Sequence, residues 1–181
     1  MEKQISKVVY LSFLLLIICG CHAVPPDNVE FSQIINIKEL EGVYNNYGEG
    51  EPNTRFVYLS QLIWQREEGL KHFSVQSVEV KAVNDKTLLV KAVGENGEIM
   101  KEGLFIEGKD FKLSSGYIPT PGQFGFPYPI IGISYENSDL GIDTRKDGKY
   151  KVRTTSAGLL ALLIPVALTG TEEFRFMRMK K

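Results

Sequence analysis

The chain has few residues suited to metal or redox chemistry. It contains two cysteines and two histidines in 181 residues. Cys19 and Cys21 are separated by one residue, whereas a c-type haem attachment site needs two residues between its thiols. A zinc site would need a further pair of ligands, and His22 and His72 are the only histidines. The sequence therefore predicts no metal and no cofactor.

An excess of charge of either sign is also absent. The formal net charge is −1 and the sequence pI is about 6.2. A nucleic-acid binder usually has a basic face and a high pI, so no nucleic-acid partner is predicted. Hydrophobic residues make up 43% of the chain, which is enough for one domain with its own core. The 17 glycines and 8 prolines indicate many turns rather than long helices.

Sequence motifs of catalysis are missing. The chain has no G-x-S-x-G, H-E-x-x-H, Walker A or dinucleotide-binding fingerprint. His72 has no acid and nucleophile pattern beside it, and it is interpreted as a surface histidine. The adjacent pairs Glu67-Glu68 and Glu172-Glu173 would point to opposite faces of a strand, so neither forms a catalytic pair. The sequence thus predicts no catalytic residue, and we expect that the protein is not an enzyme.

No apolar run is long enough to span a bilayer as a helix, which takes about 20 residues. The run VVYLSFLLLII at 8–18 would extend about 16 Å as a helix. It follows Lys3 and Lys7, and this charge and length are typical of a signal peptide. The second run, 159–168, contains Pro165 and is predicted to be a buried core segment, either a strand or a short helix.

The residues that follow the first run are Ile18-Cys19-Gly20-Cys21. They resemble the lipobox of bacterial lipoproteins, which has an aliphatic residue, a variable residue, a small residue and then a cysteine. In that family the cysteine at the Cys21 position receives a diacylglyceryl thioether. The signal peptide is cut before it, and the new amino group is usually acylated. The resemblance implies that Ile18, Cys19 and Gly20 are the recognition residues of the signal peptidase.

The same resemblance implies how the rest of the chain is organised. Residues 1–20 would be a removed signal peptide, 21–30 a lipidated tether, and 31–181 a single β-rich domain. Several acyl chains on one cysteine would hold the protein on a membrane. His22 follows in place of the aspartate that resembles an inner-membrane retention signal. The expected location is therefore the cell envelope, most simply the outer membrane of a Gram-negative host.

The clearest structural signal is in SVEVKAV, residues 77–83, where apolar and charged residues alternate with the period of a half-buried strand. Short polar turns recur after it, and no connection is long enough for a helical crossover. This pattern indicates an antiparallel meander of hairpins. Leu59, Leu62 and Ile63 have helical spacing and predict a short helical turn. The predicted turns lie at 84–86, 94–97 and 107–110, with a further hairpin at Asp147-Gly148.

The segments LEGVYNN, YLSQLIW, DKTLLVKAV and LLIPVALTGTEEFRF resemble small β-rich lipoproteins of Gram-negative bacteria. Such families imply no catalytic residue and no ligand. We expect the meander to form a closed or half-open barrel or a curled sheet, because closure removes exposed strand edges. The predicted fold class is thus mainly β, with one or two short helical segments.

Aromatic residues supply the candidate binding surface. The segment PTPGQFGFPYP, residues 119–129, is predicted to be a loop or a sheet-edge excursion, because proline cannot donate to a central ladder. Its Phe124, Phe126 and Tyr128 either cap one end of the core or form an exposed surface for a partner or ligand. Trp64, the only tryptophan, either fills the core or stacks on a ligand.

Two functions remain open from the sequence. The first is a membrane-anchored envelope lipoprotein that acts as a structural or protein-interaction module. The alternative is a lipid-tethered binder of a small apolar or lipid-like ligand in a lipocalin-like cup. Inward-facing Trp64, Phe105, Phe111 and Tyr135 would fill the interior, whereas a cavity of about 300 Å³ or more would favour ligand binding.

Overall fold

The computed structural model describes residues 29–51, 55–65, 67–125, 130–160 and 164–179. The predicted mainly β fold with short helical segments is confirmed for these residues. No helix in this part of the chain is long and apolar enough to cross a membrane. In chain order the elements are a 3-10 helix Ile37–Leu40, β1 Gly42–Asn45, α1 Leu59–Ile63, a 3-10 helix His72–Ser74, β2 Val75–Asn84, β3 Thr87–Gly94, β4 Ile99–Ile106, β5 Ile118–Gly125, β6 Ile130–Ile142, β7 Gly148–Leu160, β8 Ile164–Phe176 and β9 Arg178–Met179.

The described strands pair in two sheets. The five-stranded sheet has the order β4-β3-β2-β1-β9, and the four-stranded sheet has the order β5-β6-β7-β8. The pairings β1 with β2, β2 with β3, β3 with β4 and β1 with β9 are all antiparallel. The predicted antiparallel meander is therefore present, while closure into a barrel stays a prediction.

The meander of β2, β3 and β4 follows the alternation in the sequence. Leu88, Val90 and Ala92 of β3 are buried, and the residues between them are partly exposed. Val80 of β2 lies opposite Val90, and Phe105 of β4 lies opposite Leu88. Because the side-chain period of a strand is two, these apolar residues share one face of the sheet. That face forms part of the hydrophobic core.

The turns predicted in this meander are confirmed, each with a local reason. The Asn84 side chain accepts a hydrogen bond from the Lys86 N–H at 2.9 Å in the first turn. Gly97 and Gly108 have φ values of 79° and 86°, which favour glycine. In the third turn the Asp110 carboxylate accepts from the Ile106 N–H at 2.9 Å. Glycines or short polar residues therefore form each of these turns.

The proline-rich segment and the second apolar run both differ in part from expectation. Ile118–Gly125 forms β5 at the edge of the four-stranded sheet, so the sheet-edge alternative is correct as far as Gly125. The described parts of the run 159–168 are strands, but the expected burial is wrong, since Leu159, Ile164 and Leu168 are exposed. Apolar composition does not by itself bury a residue, because more than half of a protein surface is apolar.

The chain divides into two compact units. The described residues of one unit, which we call the hairpin unit, fall within Gly122–Asn137 and Arg153–Thr171. The described residues of the other, the core unit, fall within Val24–Pro121, Ser138–Val152 and Glu172–Lys181. The largest side chains of the core unit with under 2% exposure include Phe174, Phe176, Ile37, Ile142, Val78 and Val152.

A buried cluster of charged side chains also lies in the core unit. The Glu173 carboxylate is 2.7 Å from the Nζ atom of Lys149 and 2.7 Å from that of Lys151. Lys149 Nζ also donates to the Val29 carbonyl at 2.6 Å. The Lys149 and Glu173 side chains are only 4% and 6% exposed, so each needs the other to offset its loss of hydration. The cluster ties the start of the described chain to β7 and β8.

Candidate functional site

The core unit contains a cavity of about 540 Å³. Its walls come from the five-stranded sheet, from α1 and from the segments around β5 and β6, and most of the lining side chains are apolar. The apolar lining residues are Leu40, Tyr44, Leu59, Leu62, Ile63, Trp64, Val80, Leu88, Val90, Phe105, Phe111, Ile118, Pro119, Leu140 and Ile142.

The inner face of the five-stranded sheet forms one wall. Val80, Leu88, Val90 and Phe105 reach the cavity from β2, β3 and β4. They are the apolar members of the alternating pattern, so the period of the strands places all of them on the cavity side. Leu89 lies between two lining residues of β3 and points to the opposite face.

The helix α1 forms a second wall. Leu59, Leu62 and Ile63 line the cavity, and the predicted helical turn at these residues is confirmed. Trp64 follows the helix, donates its backbone N–H to Ser60 at 2.9 Å and is 8% exposed. Its ring meets Phe105 edge-on, with 5.9 Å between centroids and an interplanar angle of 68°. Trp64 therefore belongs to the core and to the cavity wall at once.

The four large residues that would fill the interior if they faced inward lie in different places. Trp64, Phe105 and Phe111 line the cavity and still leave about 540 Å³ between the walls. Tyr135 belongs to the hairpin unit, is 40% exposed and packs against Phe124 with 5.0 Å between ring centroids. Tyr135 therefore does not help to fill the interior. Strand alternation places the Tyr135 side chain on the same face of β6 as the exposed Ile131 and Ile133.

Four polar residues that line the cavity already have partners within the protein, namely Tyr44, Glu67, Asp110 and Thr120. The Tyr44 hydroxyl donates to the Leu40 carbonyl at 2.9 Å, and burial raises the pKa of this phenol to about 12. Thr120 hydrogen-bonds Ser138, and Asp110 accepts from a backbone N–H of its turn. Glu67 is 3.0 Å from the Lys101 ammonium group. The walls consequently offer mainly apolar surface to an occupant.

A polar cluster around Asn46 was not foreseen from the sequence. The Asn46 side chain donates to the carbonyls of His72 and Val75 at 2.8 and 2.9 Å, and accepts from the Ser60 N–H at 2.8 Å. Ser60 Oγ lies 3.0 Å from His72 Nδ1. His72 is half-buried rather than a free surface residue, and burial lowers its pKa. Since Ser60 is fully buried, this contact holds α1 against the start of β2.

The other predicted site residues are distributed as follows. Phe124 is 79% exposed and belongs to the hairpin unit, whereas Trp64 belongs to the core unit. Six predicted residues lie outside the described part of the chain: Ile18, Cys19, Gly20, Cys21, Phe126 and Tyr128.

Neither a metal-binding group among the described residues nor a known relative helps to identify the site. Among the described residues, no group of three or more histidine, cysteine or acidic side chains is placed to hold a metal ion. Comparison with protein-family models, curated proteins and solved structures gives no match. Wall residues such as Val80 and Leu88 are recognisable from strand alternation, but no sequence signal marks the empty volume between the walls.

Proposed function

We propose that the protein binds a small apolar ligand in the cavity of the core unit. The observation that carries the proposal is the volume of about 540 Å³ between mainly apolar walls. Small-molecule sites usually measure about 300 to 1,000 Å³ and combine apolar walls with a few polar groups. A protein-interaction module, the other function open from the sequence, would need no such interior space.

The chemistry of the walls indicates the class of ligand. Removing apolar surface from water contributes about 25 cal/mol per Å², from which the cost of association is subtracted. An anionic group would meet the carboxylates of Glu67 and Asp110 and would lose its own hydration. A neutral apolar molecule fits these walls best.

The proposal also includes the location and shape expected from the sequence. A lipid on Cys21 would hold the core unit at a membrane of the cell envelope, most simply the outer membrane. The five-stranded sheet with α1 would act as the wall of a lipocalin-like cup, which corresponds to a half-open barrel. This arrangement would place an apolar-ligand binder close to a source of lipid-like molecules.

Trp64 provides a direct test, since it is the only tryptophan and lines the cavity. The neutral apolar dye N-phenyl-1-naphthylamine is titrated into the protein while tryptophan emission is recorded. We expect saturable energy transfer from Trp64 to the dye with a stoichiometry of one. Absence of saturable transfer would contradict binding in this cavity.

A pair of matched double variants separates the cavity from the rest of the sheet. Val80→Phe with Val90→Phe adds bulk to the cavity from two residues that lie opposite each other on β2 and β3. Lys81→Phe with Leu89→Phe places two phenylalanines on the opposite face, again at paired residues. We expect the first variant to weaken dye binding about tenfold or more and the second to leave it unchanged. Equal effects of both double variants on dye binding would contradict binding in the cavity. Thermal unfolding monitored by circular dichroism verifies that both variants fold.

A further inference from the structure

The hairpin unit contains a region without charge. Charged residues make up 24% of the whole chain, yet none occurs in 121–135 or in 154–171. The described residues of these stretches are 121–125, 130–135, 154–160 and 164–171, and they belong to the four strands β5 to β8. We call this region the uncharged end of the four-stranded sheet.

The first charged residue lies at a similar distance from one end of the sheet on the three neighbouring strands β6, β7 and β8. Connections of three to five residues join successive strands from β5 to β8, so neighbours run antiparallel. The last residue of β5, the first of β6, the last of β7 and the first of β8 therefore lie at the same end of the sheet. Counted from that end, Glu136 is the seventh residue of β6, Arg153 the eighth of β7 and Glu172 the ninth of β8. The uncharged end therefore extends about 20 to 26 Å along the strands.

Large apolar side chains of the uncharged end are exposed. Ile131 and Ile133 alternate on β6 and are 61% and 60% exposed, and Phe124 of β5 stands beside them against Tyr135. On β8 the neighbours Ala167 and Leu168 are both exposed, so this strand is open on both faces. Contiguous exposed apolar surface marks an interaction site for a protein or a membrane.

We propose that the uncharged end of the four-stranded sheet enters the interfacial region of a lipid bilayer. A protein partner would cover one face and form a polar rim, whereas lipid can surround the outer strand β8, which is exposed on both faces. Tyr135 stands next to Glu136, at the border where the charges begin.

The open edges of the sheet limit the depth of insertion. Unpaired backbone groups are not tolerated in the hydrocarbon core of a bilayer, and both β5 and β8 are edge strands of their sheet. Interfacial elements enter the boundary between headgroups and acyl chains by about 5–10 Å, where water still reaches the backbone. The inserted part is therefore the outermost portion of the described strands, including Ile131, Ile133 and Ile164.

Photolabelling from the lipid tests this inference with the full chain. The protein is reconstituted with phosphatidylcholine vesicles that carry a diazirine on the upper part of one acyl chain, and adducts are mapped by peptide mass spectrometry after illumination. We expect adducts within 122–135 and 154–171 at least fivefold above those in peptides of the core unit. Labelling no higher than in the core unit would overturn the inference.

Substitutions at two equally exposed residues, one inside and one outside the uncharged end, provide the control. Ile133 on β6 and Leu104 on β4 are each 60% exposed, so either tolerates aspartate without loss of the core. Ile133→Asp should lower labelling of the uncharged end at least fivefold, while Leu104→Asp should leave it unchanged. If a second copy of the chain covers this surface instead, sedimentation velocity without vesicles will show a dimer that Ile133→Asp dissociates, together with absent lipid labelling. That result would also overturn membrane insertion.

Discussion

Glu172 and Glu173 are neighbours in the sequence but lie in different environments. Glu172 is 3.2 Å from Arg55 in an exposed pair, while Glu173 is buried between Lys149 and Lys151. Strand alternation predicts that the two carboxylates point to opposite faces, which the structure confirms. The choice of which carboxylate is buried was not predictable, because both lysines come from β7 and meet Glu173 only after the sheet forms.

This difference gives a prediction at the scale of single residues. Glu173→Gln keeps the side-chain shape but leaves two lysines without this carboxylate, and breaking a buried pair costs about 3–5 kcal/mol. We expect the free energy of unfolding to fall by about 3 kcal/mol in urea denaturation. Glu172→Gln is the matched control and should cost less than about 1 kcal/mol, since its pair is exposed. Similar small losses in both variants would show that the buried cluster contributes little.

At the scale of elements, most of the meander was accessible from the sequence. The turns at 84–86, 94–97 and 107–110 are marked by glycine and short polar residues, and these determine local backbone conformation without distant contacts. The run 159–168 was not accessible in the same way. Its composition indicates burial, but exposure depends on whether another element packs on it, and that is decided by tertiary structure.

Two glycines with positive φ differ in what an added side chain would meet. At Gly97 it meets only local backbone strain, whereas at Gly116 it also meets a neighbouring segment. Gly97 has φ 79° and open space around it, so alanine there meets only backbone strain of about 1 kcal/mol. Gly116 has φ 88°, and an added Cβ would approach the Gln33 Cα to 2.8 Å and the Ile34 nitrogen to 2.9 Å. We expect Gly116→Ala to lower the unfolding free energy by about 3 kcal/mol, because backbone must move as well. Equal urea midpoints for the two variants would contradict the close approach.

At the scale of the whole molecule, the predicted location depends on one residue. Cys21→Ser should abolish incorporation of a labelled fatty acid in a bacterial host and should leave uncleaved precursor, because the thiol is the expected attachment point. Cys19→Ser changes the other cysteine at a permissive lipobox position and should keep both labelling and cleavage. The measurement is in-gel detection of the label together with the mass of the N-terminal peptide. Normal labelling of Cys21→Ser would refute the anchor.

The sequence by itself determined the strand pattern, the turn chemistry and the positions without charge. These features depend only on residue type and on spacing along the chain, because both determine the local backbone conformation directly. The tertiary structure alone decided that Glu173 is buried, that Tyr135 is exposed and that about 540 Å³ stays open behind Trp64. Such properties arise where residues distant in sequence meet, and the volume left between them depends on the whole set of side chains rather than on any one.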